Sequence, residues 1–489
     1  MNSNIVPRYP KYINEPVDDQ GLLEAARKIM KRKYGRSTLG AVTRDDFVLL
    51  ITPPEPIQDM KVLQAFLTVY KENGIKAHQV DELQIGIRSK LSLGGFTAAD
   101  GWAEVNWRKQ YTDKLHDSAK IRKSDPSDIT KLNEYLNAHP EYTTVFFGEG
   151  GRSQIASFLS KENKKKFKDT WMYYTTEDLI SRYFQFPGEL WEIIEHKTVE
   201  NIANIQDVIV RDLQGTHVRF SVTEEEAGLW AEGALRTGHL VMYPLWARTV
   251  HYALGKCDEE IPICPKLNGV ISGTGNHAGF YPHMKAHITD GMVTHIEGGG
   301  QFGEYLREMM WLTKEAQYPR YPRKGCFYMC EVALGSNPKA FRTNRGIWNG
   351  NEMFCNVSER NRSGVFHWGF GIQSASPDII QWAKENDMPW QHGWHIHTYF
   401  NTYDAKLRDS GKWIRIIDNG RLTALDNPEV REVAKAFGDP DELLREDWVP
   451  AIPGINYPGD YMRDYGHNPV AWIYLEMNGE LPKTFGVPD

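Results

Sequence analysis

The stretches "DFVLLITPP" (46–54), "MKVLQAFLTVYKENG" (60–74) and "IKAHQV" (75–80) follow one another almost without interruption. A short apolar run ending in prolines leads into a helix-length amphipathic segment, which leads into a second β-type run. Two strands joined through a helix return to the sheet in the same direction, so this unit predicts a parallel sheet. "TTVFFGEGG" (143–151) repeats the strand-then-glycine pattern, and "TWMYYTT" (170–176) reads as a further strand. Amphipathic segments such as "DITKLNEYLNAHP" (128–140) lie between them. The first half is therefore expected to be a doubly wound α/β domain.

The texture changes near residue 212. From "QGTHVRFSVT" (214–223) onward, short β-like runs alternate with glycine and asparagine turns, as in "NGVISGTG", "GMVTHIEGGG" and "WIRIIDNGRL". These are antiparallel signals. A boundary near 225–235, with "EEEAGLWAEGALR" as the connecting segment, divides the chain into an α/β domain (1–228) and a β-rich α+β, metal-binding domain (229–489). With 489 residues, 41% of them hydrophobic, the chain can bury a core in each.

The histidines concentrate in the second part: twelve of sixteen lie beyond residue 212. In "WHIHTYFN" (394–401), His395 and His397 are two apart on a predicted strand and so share one face. Their Cα atoms lie roughly 7 Å apart, and two imidazoles leaning inward from there reach one ion at about 2 Å per bond. His239 stands just before a strand in "RTGHLVMYP", Glu331 opens the apolar strand of "CEVALGSNPKA", and His367 sits inside "GVFHWGFG". Burying Glu331 or His367 without a partner costs several kcal/mol. A metal ion satisfies them, and so does a hydrogen bond to backbone.

In order, "GTHVRFS" (215–221), "GHLVMYP" (238–244), "NGVISG…TDGMVTHIEGG" (268–299), "EVALGSNP" (331–338), "VFHWGFG" (365–371), "HIH" (395–397) and "DNGRL" (418–422) resemble the blocks of the aminopeptidase T family. The 2,5-dihydroxypyridine 5,6-dioxygenase is related to that family. The resemblance spans roughly 212–425. It implies that Glu331, His367 and His395 are metal-site residues, and that the chain dimerises. Two positions depart from the peptidases, which have a carboxylate at His239 and at His397; a third, a tyrosine there, is Ser374 here. One carboxylate poorly compensates two divalent ions, so a single metal is expected.

Two histidines and one carboxylate around a single metal suit non-haem Fe(II). The set would be Glu331, His395 and either His397 or His239, with His367 and the spare histidine moving a proton. With that set, the resemblance to the pyridine dioxygenase implies a ring-cleaving oxygenase acting on a small hydroxylated aromatic or heteroaromatic. The alternative is a Zn- or Mn-dependent hydrolase of amide, lactam or peptide bonds. Arg362, near His367, and Arg152, in the glycine loop "FGEGGRS", are candidates to bind a substrate carboxylate.

Other partners are disfavoured. A net charge of −7 supplies no basic footprint for nucleic acid or an anionic membrane, and "KENKKKFK" (161–168) reads as a solvated helix end. No apolar stretch reaches transmembrane length, and the N-terminus lacks the apolar core of a signal peptide. Five cysteines, an odd number in so long a chain, predict a reduced, cytoplasmic protein, with Cys326 and Cys330 of "CFYMC" as buried thiols. Aromatic residues at 12% fit either a pocket for a flat substrate or an aromatic core.

Overall fold

The computed structural model describes residues 5–9, 18–32, 39–40, 42–52, 60–86, 126–147, 159–168, 176–235, 241–242, 263–276, 279–342, 359–372, 377–388, 394–477 and 479–481. Its N-terminal region contains the predicted parallel sheet: β1 (Phe47–Thr52), β2 (Lys76–Asp81), β3 (Thr144–Phe147) and β4 (Phe167–Lys168), in the order β2-β1-β3-β4. β1 is apolar from Phe47 to Ile51 because it is covered on both sides. Val48 and Leu50 face the helices Asp19–Met30 and Met60–Glu72, while Leu49 and Ile51 face Leu132 and Leu136 of the helix Pro126–Ala138. Each such leucine, fully buried, contributes about 1.5–3 kcal/mol.

The lysine-rich run is indeed a short helix, Lys161–Lys166, capped by Ser160, and β4 follows at its end. The strand expected at 170–176 falls almost wholly outside the described residues, as does the glycine loop carrying Arg152.

The β-rich region holds two antiparallel sheets. Its strands are β5 (Ile205–Arg211), β6 (His217–Ser221), β7 (Val241–Met242), β8 (Asn268–Asn276), β9 (Gly279–Thr289), β10 (Met292–Gly298), β11 (Met329–Leu334), β12 (Phe366–Phe370), β13 (Trp394–Thr398), β14 (Thr402–Leu407), β15 (Trp413–Asp418) and β16 (Arg421–Leu422). The larger sheet runs β10-β9-β8-β6-β5-β14-β15-β16, and the smaller runs β13-β12-β11-β7. β5 and β6 come before residue 228 in sequence, yet they occupy the middle of the larger sheet, β5 pairing with β14. The helix Glu224–Gly233 leaves β6 through a capping box between Thr223 and Glu226.

The two sheets meet where β13 packs on β8. At Gly273 a side chain would overlap Ile396 Cγ2 at 2.6 Å, so the absence of one sets the separation. Ile396, Trp394, Trp368 and Phe370 are buried. The tryptophans among the described residues, Trp311 and Trp413 aside, go mainly into this core, where Trp230, Trp368, Trp394 and Trp448 are fully buried. Cys264, Cys326 and Cys330 form no disulfide and are buried, as expected for "CFYMC". Burial pushes the Cys326 thiol up to about 12. Among the described residues no helix is long and apolar enough to cross a membrane.

Candidate metal centre

β11, β12 and β13 are buried along their whole lengths. Their register sets six positions in two rows on one face: Glu331, Gly369 and His395 in one, Ala333, His367 and His397 in the next. Strand alternation keeps the other face for Val332, Trp368 and Ile396. Glu331 owes its place to a slip of one residue in the ladder between Met329 and Glu331. Met329 faces Phe370. Continued without the slip, the ladder would set Glu331 opposite Trp368 and turn its carboxylate to the tryptophan side.

Gly369 is the second device. A Cβ built there would lie 2.8 Å from Glu331 Cβ and 3.0 Å from His395 Nε2. Without it, the two flanking side chains close over the glycine. His395 Nε2 lies 3.6 Å from Glu331 Oε2, and His367 Nε2 lies 3.5 Å from Glu331 Oε1. The His367 and His395 rings are 4.2 Å apart. Two donors each about 2 Å from one ion lie at most about 4 Å apart, so both carboxylate–imidazole pairs suit a shared ion. Glu331, His367 and His395 form the one group among the described residues whose ligand atoms all lie within 4.8 Å of one another. The donor set and the cradle over Gly369 fit a divalent metal. Glu331 and His395 retain 5% and 7% exposure against 1% for His367, so the group opens on the Glu331–His395 edge.

His397 shares this face, as the two-residue spacing requires, but stands behind His367: its Nε2 is 3.1 Å from His367 Nδ1. Its Nδ1 faces Glu359 Oε1 at 3.9 Å. Burial pushes the His397 imidazole down to about 4 against the pull of Glu359, leaving it neutral at pH 7. Burial also acts to raise the Glu359 carboxyl, but Arg342 and His397 outweigh it and hold the group below its ordinary value. Arg342 Nε donates to Glu359 Oε2 at 2.6 Å, and the Tyr399 hydroxyl donates to Oε1 at 2.8 Å.

Of the residues singled out from sequence, Glu331, His367 and His395 come together, and His397 is in contact with them through His367. Arg362 is set apart from them: buried over Trp448, it donates to the carbonyls of Trp448, Ser363 and Gly420. His239, Arg152 and Ser374 lie outside the described residues. Gly369, Glu359, Arg342 and Tyr399 were not anticipated. For Gly369 a signal existed, since a glycine inside an apolar strand marks a close approach.

No protein-family model matches the sequence, and no curated protein matches it. Among solved structures, the chain is similar to 2,5-dihydroxypyridine dioxygenase from Pseudomonas putida KT2440, at 12% identity and TM-score 0.43 over 83% of this chain and 98% of that one. It is also similar to wild-type AmpT from Thermus thermophilus, at 11% identity and TM-score 0.39 over 82% of this chain and 99% of that one.

Proposed function

We propose that the chain is a metal-dependent enzyme with one divalent ion held by Glu331, His367 and His395, and that it is an Fe(II)-dependent oxygenase of small hydroxylated aromatic or heteroaromatic rings. The observation carrying this reading is the donor set, two imidazoles and one carboxylate converging from three adjacent strands. Two neutral nitrogens and one anionic oxygen are the set that suits non-haem iron with open positions. Ferrous iron there supplies the one-electron chemistry that lets dioxygen react with an organic ring.

The chain's own residues hold the site and set its charge. One carboxylate against a dication leaves excess positive charge in a buried place, and buried charge demands a compensating partner. A hydroxylated ring that ionises on binding meets that demand. Glu359 is not among the donors: it faces His397, behind His367, and pairs with Arg342. Glu331 and His395 keep the slight exposure of the group, and that edge is where a substrate would enter. His239 is retained as a further donor and Arg152 as an anchor for an anionic substrate group.

The same two-histidine, one-glutamate set holds zinc in hydrolases, which keeps a Zn- or Mn-dependent amide, lactam or peptide hydrolase as the competing reading. Anaerobic purification with metal analysis, followed by oxygen uptake over a panel of dihydroxylated aromatics and pyridines, separates the two. Iron at about one per chain, lost in Glu331→Ala and His395→Ala, with substrate-dependent oxygen uptake, supports the oxygenase. Zinc or manganese with amide or lactone cleavage and no oxygen uptake replaces it with the hydrolase.

A further inference from the structure

We propose that Arg342 and Glu359 act through His397 as positioning residues that select the tautomer of His367, so that His367 presents its Nε2 lone pair to the metal. The inference rests on the metal centre proposed above.

His367 faces Glu331 with Nε2 and His397 with Nδ1. A neutral imidazole has one N–H, so giving Nε2 to an ion places the proton on Nδ1. Across the 3.1 Å contact, His397 Nε2 must then accept. A neutral His397 accepting at Nε2 carries its own proton on Nδ1, the atom that faces Glu359. The opposite arrangement, with the proton on His397 Nε2, would make His367 Nδ1 the acceptor and move the His367 proton onto Nε2. That would block the ligand atom.

Glu359 breaks the tie. It is fully buried, and a fixed negative charge in a medium of low dielectric favours the tautomer whose N–H points at it. Its own charge is secured by Arg342, which also reaches Glu476 Oε2 at 3.3 Å and lies over the rings of Phe280 and Trp448 at 4.6 and 4.8 Å. A buried ion pair of this kind is a poor source of net stability, since desolvation offsets attraction. Setting the tautomer of a ligand is a use that explains its presence. Outer partners of this sort commonly fix a metal-bound histidine's ring and tautomer.

The test is a Co²⁺ titration against a competing chelator, following the ligand-field bands, with metal-free folding checked by calorimetry. Three variants are compared with the parent: Glu359→Gln, His397→Met and His397→Gln. The last keeps an acceptor oxygen near the ε position; methionine keeps bulk without one. Both His397 variants leave the Arg342–Glu359 pair in place, so they report even if Glu359→Gln folds poorly. Expected are losses of about 10–100-fold in Co²⁺ affinity for Glu359→Gln and His397→Met. His397→Gln should stay within about threefold of the parent, one neutral hydrogen bond having replaced another. Parent-like affinity in His397→Met, or equal loss in both His397 variants, would overturn the relay while leaving the metal centre standing. Parent-like affinity in a folded Glu359→Gln would overturn the part assigned to Arg342 and Glu359. A parent that binds no Co²⁺ would overturn the centre itself, and the relay with it.

Discussion

Gly369→Ala puts the cradle to the test with a single methyl group. The added carbon would sit 2.8 Å from Glu331 Cβ and about as close to the His395 ring, at 3.0 Å from Nε2 and 3.1 Å from Cδ2. Ordinary carbon contacts begin near 3.5 Å, so both neighbours must retreat by roughly half an ångström. Glu331 Cβ is tied to the β11 backbone and cannot swing aside, which leaves strand movement or displacement of His395. Overpacking of this kind costs about 1–3 kcal/mol. Replacing glycine also stiffens the unfolded chain, which returns about 0.4–1 kcal/mol. The net expectation is a loss of on the order of 1–2 kcal/mol. Gly228→Ala isolates the second contribution, because it lies exposed in the helix Glu224–Gly233 with nothing within 4 Å of the added carbon. Calorimetry on the metal-free proteins should show Gly369→Ala melting below the parent and Gly228→Ala at or above it. Ligand groups must hold their places to about half an ångström, so Gly369→Ala should also weaken Co²⁺ binding by at least about tenfold. Parent-like melting and affinity in Gly369→Ala would refute the cradle.

Glu331→Gln removes the one carboxylate of the trio and should abolish measurable Fe²⁺ or Co²⁺ retention on desalting, with the metal-free fold preserved by calorimetry. Burial pushes the Asp212 carboxyl up to about 6, more than the Thr216 and Gln214 amides pull it down. The folded chain then keeps a proton that the unfolded chain releases near pH 4, so stability falls between about pH 4 and 6. Asp212 keeps some exposure, which discounts the effect to on the order of 1 kcal/mol. His283 and His397, pushed down to about 4 by burial, act in the opposite sense over the same window, so Asp212→Asn must be read as a difference from the parent. That difference should grow, in favour of the variant, as pH rises through the window. Cys264, Cys326 and Cys330 should stay silent to an aromatic disulfide reagent at pH 8 until the chain unfolds, leaving at most two of the five thiols reactive in the native state.

The parallel sheet was legible because its information is local. A continuous apolar run, a helix of one amphipathic period and a second run leave few ways to fold, and the observed strands differ from the expected ones by a residue or two. The metal face was only half legible. Alternation sets His395 and His397 on one side of a strand, but which of them joins Glu331 depends on how β13 lines up with β12. No spacing within "WHIHTYFN" carries that information. The side of the sheet that Glu331 takes hangs on the slip beside Cys330, where one residue more or less exchanges the two faces. Glu359 and Arg342 were invisible for a different reason. They lie outside the strands, and only tertiary folding brings them against His397 and Tyr399. Arg362 was singled out for its closeness in sequence to His367; its backbone-carbonyl contacts to Trp448, Ser363 and Gly420 are likewise set by tertiary folding.

The three candidate ligand side chains sit at positions 331, 367 and 395, each on a different strand of one small sheet. Nothing nearer than that sheet's closure brings them together, so the nascent chain cannot assemble the centre piecemeal. Capture by all three would follow folding, while the unfolded polypeptide, with its sixteen histidines and five cysteines, offers only scattered donors. Such linkage makes the loaded ion a stabiliser of a sheet that also closes without it, and thermal resistance climbs with the logarithm of free metal. The supply of free metal would then add to, rather than set, the stability of the folded chain.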